Sequence, residues 1–217
     1  MAAKRPKRRP GPAPQPRVTV DKAAPLVLAL DTSGPIEAIG LAQGDLVLGT
    51  WSGRRPGRGG SGLVGRIEQV LAWCNRNFAD LSAVAAVTGP GAFTGLRVGI
   101  ATLRGLARGL SIPSFGYSSE GAWAAALAGS ELPVAVTLDA RRKEVYGALL
   151  RPGLDGRSEE LVSVQLGAPQ AWFEQLAALP ECADGVVLCG DGARLYAELA
   201  RDLLGPRAHM ADAVPMG

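Results

Sequence analysis

The stretch Thr88-Gly-Pro-Gly-Ala-Phe-Thr-Gly-Leu-Arg-Val-Gly99 carries most of what decides the fold. Gly89-Pro90-Gly91 reads as a turn at the end of a buried strand, Val84–Thr88, and Thr94 as the cap of a helix running to about Leu110. Gly95 and Gly99 stand four apart, so one face of that helix is bare and another stretch of backbone can approach it closely. Leu96, Ile100, Leu103 and Ala107 form the apolar stripe beside it. A glycine costs about 1 kcal/mol against alanine inside a helix. Carrying Gly95, Gly99, Gly105 and Gly109 in one helix therefore implies that packing offsets the cost. The competing reading is an anion cradle, because a Gly-rich turn into a helix N-terminus binds phosphate. The spacing is not G-x-x-x-x-G-K-[ST] and no lysine follows, so close packing is preferred.

Upstream, Leu26-Val-Leu-Ala-Leu30 is an apolar run suited to a buried strand that ends at Asp31-Thr32-Ser33-Gly34. Ile36–Ala42 and Leu46–Trp51 are two more strands joined by a tight turn at Gln43-Gly44-Asp45. Gly53–Gly62 reads as a Gly- and Arg-rich loop, after which Leu63, Ile67, Val70 and Cys74 recur at helical spacing, with Ser61 the expected cap. Ile112–Tyr117 predicts a strand and Ser118–Ala128 a helix. The pattern then restarts. Val134–Leu138 is a strand running into Asp139, followed by strands at Val145–Leu150 and Leu161–Leu166, an amphipathic segment Trp172–Leu179, a strand Val186–Cys189 and a helix Ala193–Leu204. Strand-strand-strand-helix-strand-helix begins twice, each time with a strand ending in an aspartate. Such a duplicated α/β layout fits two stacked sheet domains, although no residue-level repeat is visible.

The 217 residues suffice for one large or two small domains. Residues 1–25 hold seven Lys and Arg against one acid, Asp21, together with six of the sixteen prolines; the other 192 residues are mildly acidic. The tail is expected to be disordered, and a basic arm of this kind adds salt-sensitive attraction to RNA or simply solubilises. No apolar run approaches the roughly 18 residues of a membrane span. Cys74, Cys182 and Cys189 are odd in number and lack a C-x-x-C pair, as expected of reduced thiols in a cytoplasmic protein. The lone histidine, His209, stands far from any H-E-x-x-H or G-x-S-x-G pattern, which argues against zinc or serine proteolysis.

Leu28-Ala-Leu-Asp-Thr-Ser33, Gly89-Pro-Gly-Ala-Phe-Thr-Gly-Leu-Arg97 and Asp139-Ala-Arg-Arg-Lys-Glu-Val-Tyr146 closely resemble, in order and spacing, the TsaB (YeaZ) family. The resemblance covers about residues 26–190 and weakens after Leu150. It implies a two-domain actin/Hsp70/sugar-kinase-like (ASKHA) fold, with a first domain over 26–130 and a smaller second domain over 131–217. It further implies a non-catalytic scaffold subunit in formation of threonylcarbamoyladenosine at position 37 of tRNA. That subunit would bind and activate a TsaD-type catalytic partner, with the TsaE-type ATPase and the tRNA joining through the complex. ATP and a metal ion belong to the partner complex, and no cofactor is assigned to this chain. Two departures stand out. Many relatives carry a histidine where this chain reads Gly59-Gly60-Ser61-Gly62, and the chain stops at Pro215-Met-Gly217, before the last helix of its relatives. The second domain is therefore expected to lack its C-terminal helix.

In the resembling family the helices beginning near Ser61 and Thr94 meet the TsaD-type subunit as a four-helix bundle, or pair with themselves when alone. The expected partner surface is Leu63, Ile67 and Val70 on the first helix and Leu96, Val98 and Ile100 on the second, with Leu103 in the core. Gly89, Gly91, Thr94, Gly95 and Gly99 form the helix-packing motif. Asp31, Thr32 and Asp139 are candidates for a vestigial nucleotide-facing set, which leaves an ATP-dependent phosphotransferase of the same superfamily as the alternative. Against it, no Gly-rich loop follows Asp31 and the second hairpin carries Arg141-Arg142-Lys143.

Overall fold

The computed structural model describes residue 21 and residues 23–54 and 62–211. Most of the basic tail, the loop at 55–61 with Ser61, and residues 212–217 lie outside that set. The described chain forms two five-stranded sheets. In the first, β1 (Leu26–Asp31), β2 (Ile36–Gln43) and β3 (Leu46–Arg54) are antiparallel neighbours. β4 (Ala83–Gly89) and β5 (Ser114–Ser118) continue it in parallel, giving the order β3-β2-β1-β4-β5. Helix α1 (Leu63–Trp73) links β3 to β4, α2 (Phe93–Leu110) links β4 to β5, and α3 (Ser119–Ala125) follows β5.

The second sheet repeats this plan. β6 (Val134–Arg141), β7 (Glu144–Pro152) and β8 (Ser158–Gly167) are antiparallel, and β9 (Val186–Cys189) and β10 (Ala208–Met210) add in parallel, in the order β10-β9-β6-β7-β8. Helix α4 (Pro169–Ala178) precedes β9; α5 (Asp191–Leu195) and α6 (Ala197–Leu204) follow it. The duplication read from the sequence is thus complete to the fifth strand. β10 escaped the sequence reading because three residues, one of them the exposed His209, are too few to show a period. The position matching α3, after β10, falls on residues outside the described set.

Pairing sets the core. Leu28 lies opposite Leu41 and beside Val84, and Leu30 opposite Ile39, so these side chains share one sheet face under α1 and α2. Leu63, Ile67, Val70 and Leu71 of α1 fill that core and are at most 5% exposed. The expectation that Leu63, Ile67 and Val70 form an outward partner surface is therefore corrected. Their i, i+4, i+7 stripe is the one that covers the sheet, and the outward face of α1 holds Val64, Gly65, Glu68, Gln69 and Ala72 instead. Leu103 is in the core, as expected, Val98 is exposed, and Leu96 and Ile100 are half-buried.

The second sheet is covered on both faces. Leu149, Leu188 and Ala135 meet α4 and α6 on one side, while Val134, Val136 and Leu150 meet Trp123 of α3 on the other. Although α3 belongs to the first half of the chain, its buried apolar side chains, Trp123 and Ala124, belong to the second core. The expected boundary at 130/131 groups α3 with the first domain in sequence, whereas Trp123 and Ala124 pack with the second sheet.

Candidate functional site

The turn after β1 is anchored by its own side chains. The Asp31 carboxylate accepts hydrogen bonds from the Ser33 amide and hydroxyl, both at 2.7 Å, an arrangement that holds the turn closed. Thr32 is buried, and its hydroxyl donates to the Gly95 carbonyl at 2.8 Å. A Cβ on Gly99 would overlap that hydroxyl, and one on Gly91 would sit 2.6 Å from the Ser33 carbonyl oxygen. The Ala92 amide also donates to Ser33 O at 2.6 Å. Gly91, Gly95 and Gly99 thus bring the start of α2 against the β1–β2 turn, the close packing read from the sequence. Gly89 meets the side chain of Leu96 instead.

Two details differ from expectation. Thr94 does not cap α2: the N-cap residue is Ala92, without a side-chain bond, and the Ala92 bond to Ser33 O fixes the entry of the chain. Gly105 and Gly109 have nothing within 4 Å of where a Cβ would stand, so packing among the described residues does not require them to be glycine.

Between the two sheets opens a cleft of about 690 Å³. Asp31, Gly91 and Phe93 line it from the first half, Asp139, Arg141, Tyr146, Asp191 and Arg194 from the second, and Trp123 of α3 lies between them. Asp31 and Asp139, at the matching strand ends, both line this cleft. Thr32 does not, because its hydroxyl is committed to Gly95; its place in the nucleotide-facing set is corrected. Asp191, at the start of α5, was missed. It accepts a 3.0 Å hydrogen bond from the Asp139 amide, a contact between β6 and α5 that no local pattern announces.

Each cleft carboxylate already has a partner within the chain. Asp139 accepts from the Arg141 amide at 2.9 Å and pairs with the Arg141 guanidinium at 2.9 Å. Arg141, Arg142 and Lys143 at the β6–β7 turn all have positive φ, from 53° to 68°, a region that side chains rarely enter and that costs of order 1–3 kcal/mol per residue. Tyr117 donates to Leu30 O at 3.2 Å, and burial, helped by the nearby Asp31, pushes its pKa up. It is a neutral phenol at ordinary pH. Burial pushes the Cys189 thiol up to about 12 and raises that of Cys182 as well, which leaves both as protonated core thiols. Among the described residues no cluster of three His, Cys, Asp or Glu side chains is placed to hold a metal ion. The residues do not fit a phosphate cradle either, since the Gly-rich turn is already packed against the β1–β2 backbone.

Residues 62–172 match the family model described as TsaD: tRNA N6-adenosine threonylcarbamoyltransferase. The Bacillus subtilis tRNA threonylcarbamoyladenosine biosynthesis protein TsaB is 28% identical over 187 residues, 86% of this chain and 80% of that protein. The solved YeaZ structure from Pseudomonas aeruginosa superposes with a TM-score of 0.68 at 27% identity, covering 81% of this chain and 79% of that one. The chain belongs to the TsaB (YeaZ) family. TsaB relatives carry the name of the tRNA modification pathway, and the fold extends further. Component A of the Acidaminococcus fermentans (R)-2-hydroxyglutaryl-CoA dehydratase shares it with a TM-score of 0.51 at 11% identity. This TsaB-type chain therefore has the two-domain ASKHA-like fold that its duplicated sheets display. Among its described residues no helix is long and apolar enough to cross a membrane.

Proposed function

We propose that this chain is the non-catalytic subunit that holds a TsaD-type transferase in its working conformation during formation of threonylcarbamoyladenosine on tRNA, with a TsaE-type ATPase joining the complex. The observation that carries this reading is the outward face of α1 and α2. The two helices pack side by side, and they expose Val64, Gly65 and Ala72 on one and Val98, Ala101 and Gly105 on the other. Neither Gly65 nor Gly105 has an atom within 4 Å of where its Cβ would stand. These small and apolar residues on two adjacent helices, with Glu68 and Gln69 among them on α1, let two further helices approach to the 8–10 Å axial distance of a packed bundle. A second copy of the chain is the alternative occupant when the partner is missing.

Co-expression with the TsaD-type protein of the same genome tests the reading. A stable complex whose transferase activity disappears when this chain is left out supports it, and full activity of the partner alone overturns it. The cleft favours a second reading, an ATP-dependent phosphotransferase, because Asp31 and Asp139, at equivalent strand ends, both line it. Titration of the isolated chain with ATP and magnesium by calorimetry separates the two.

A further inference from the structure

We propose that the mouth of the interdomain cleft is a binding surface for the phosphodiester backbone of single-stranded RNA. The cations come from both lobes. Arg142 and Lys143 form the tip of the β6–β7 turn beside Arg141, which lines the cleft as Arg194 of α5 does, and Arg97 stands on α2 over the ring of Phe93, another lining residue. Arg142, Lys143, Arg194 and Arg97 are exposed, and none of them pairs with a carboxylate among the described residues. This sets them apart from Arg141, whose charge is taken by Asp139. The turn that presents two of them keeps three consecutive residues in the left-handed region, a backbone cost that no burial of their side chains offsets. An aromatic platform completes the surface. Phe93 lines the cleft, is 66% exposed, and carries the Arg97 guanidinium 3.9 Å from its ring centroid.

Unpaired cations at and beside a cleft, next to an exposed ring with a stacked guanidinium, are the chemistry that holds unpaired nucleotides, phosphates on the cations and bases on the flat faces. Asp31 and Asp191 also line the cleft and pair with no cation among the described residues, so their carboxylates repel phosphate and keep the backbone away from them. An acidic protein segment would satisfy the cations but leave the Phe93–Arg97 platform without use. The proposal rests on the tRNA-modification reading above and gives this subunit its own share of the substrate.

Binding of the full-length chain, alone and in complex with the TsaD-type partner, to a fluorescent anticodon stem-loop tests it across a salt series. Counterion release predicts that Arg142→Gln/Lys143→Gln/Arg194→Gln flattens the log–log salt slope by about 2, roughly 0.7 for each phosphate no longer neutralised. Phe93→Ala weakens binding about tenfold at every salt concentration, since stacking is not screened. Arg157→Gln, in the turn beyond the far end of β7, leaves the slope unchanged. No RNA binding by the wild type, or a triple variant with the wild-type slope, overturns the proposal. A triple variant that keeps RNA binding but no longer co-purifies with the partner also overturns it, because the surface is then a protein contact. Co-purification of the wild-type chain with its partner is read separately, so failure of the subunit reading is distinguishable from failure of this one.

Discussion

Thr32 and Gly95 are joined by a 2.8 Å hydrogen bond across 63 residues of sequence, and through it the turn after the first strand is tied to the first turn of α2. Gly99, one turn on, leaves the space in which the Thr32 side chain sits. The threonine and the two glycines act as one unit, so none of the three can be understood from its own element.

Gly99→Ala is expected to lower stability by about 1–3 kcal/mol, the usual cost of forcing a methyl group into a packed contact. In a Thr32→Ala background the penalty shrinks, because the overlapping hydroxyl is gone. Urea denaturation of the four proteins in the double-mutant cycle measures the coupling. Simple additivity would show that the two residues do not share this contact.

Glu37 is buried on the same sheet face as Ile39, and Arg66 of α1 donates to both its carboxylate oxygens, at 2.7 and 2.9 Å. The guanidinium lies 5.3 Å from the Trp51 ring centroid. Removing one partner leaves a charge with little access to water, so Glu37→Ala should cost about 3–5 kcal/mol. Replacing both with apolar residues of similar volume should restore much of that stability. Chemical denaturation of the single and double variants decides it.

Ile67 and Val98 separate the core from the partner face. Ile67→Asp should unfold the protein, because the side chain has no exposure at all and a carboxylate there has no partner. Val98 is 48% exposed, so Val98→Asp should leave the circular dichroism spectrum and the unfolding midpoint unchanged while abolishing capture of the TsaD-type subunit. A Val98→Asp chain that still captures the partner would move the interface away from α2.

Stability should fall as pH rises above about 9. The Cys189 thiol ionises near 9.0 in the unfolded chain but only at about 12 when folded, so between these values the folded state holds the extra proton. The decline is complete once the folded thiol has titrated, and its size is on the order of several kcal/mol. Tyr117 titrates upward too, so its contribution has the same sign. Unfolding midpoints from pH 8 to 11 check the direction. Cys189→Ala should weaken the pH dependence while lowering stability at neutral pH.

Most of the architecture was legible from local patterns. Strands such as Leu26–Asp31 and Val134–Arg141 are apolar runs with an aspartate at or near their ends, and the stripes of α1 and α2 follow the helical period. What stayed hidden depended on long-range pairing. The periodicity of Leu63, Ile67 and Val70 shows that they share a face, but only the sheet beneath tells whether that face looks inward. The Asp191 contact with Asp139 joins residues 52 apart, and the Thr32 hydroxyl is claimed by a helix 63 residues downstream. A single sequence gives the stripe of a helix before it gives the stripe's direction.

Helix α3 leaves the fifth strand of one lobe and buries Trp123 in the other. Ser119, at its first turn, meanwhile donates to Pro90 O of the first lobe at 2.6 Å. The segment is a strap between the halves rather than a linker. A gene cut at the apparent boundary would produce one fragment with a tryptophan and no core around it, and another with a bare sheet face. The first lobe would keep its own core, while the second would lose the aromatic ring and the methyl group that Trp123 and Ala124 lay on its sheet.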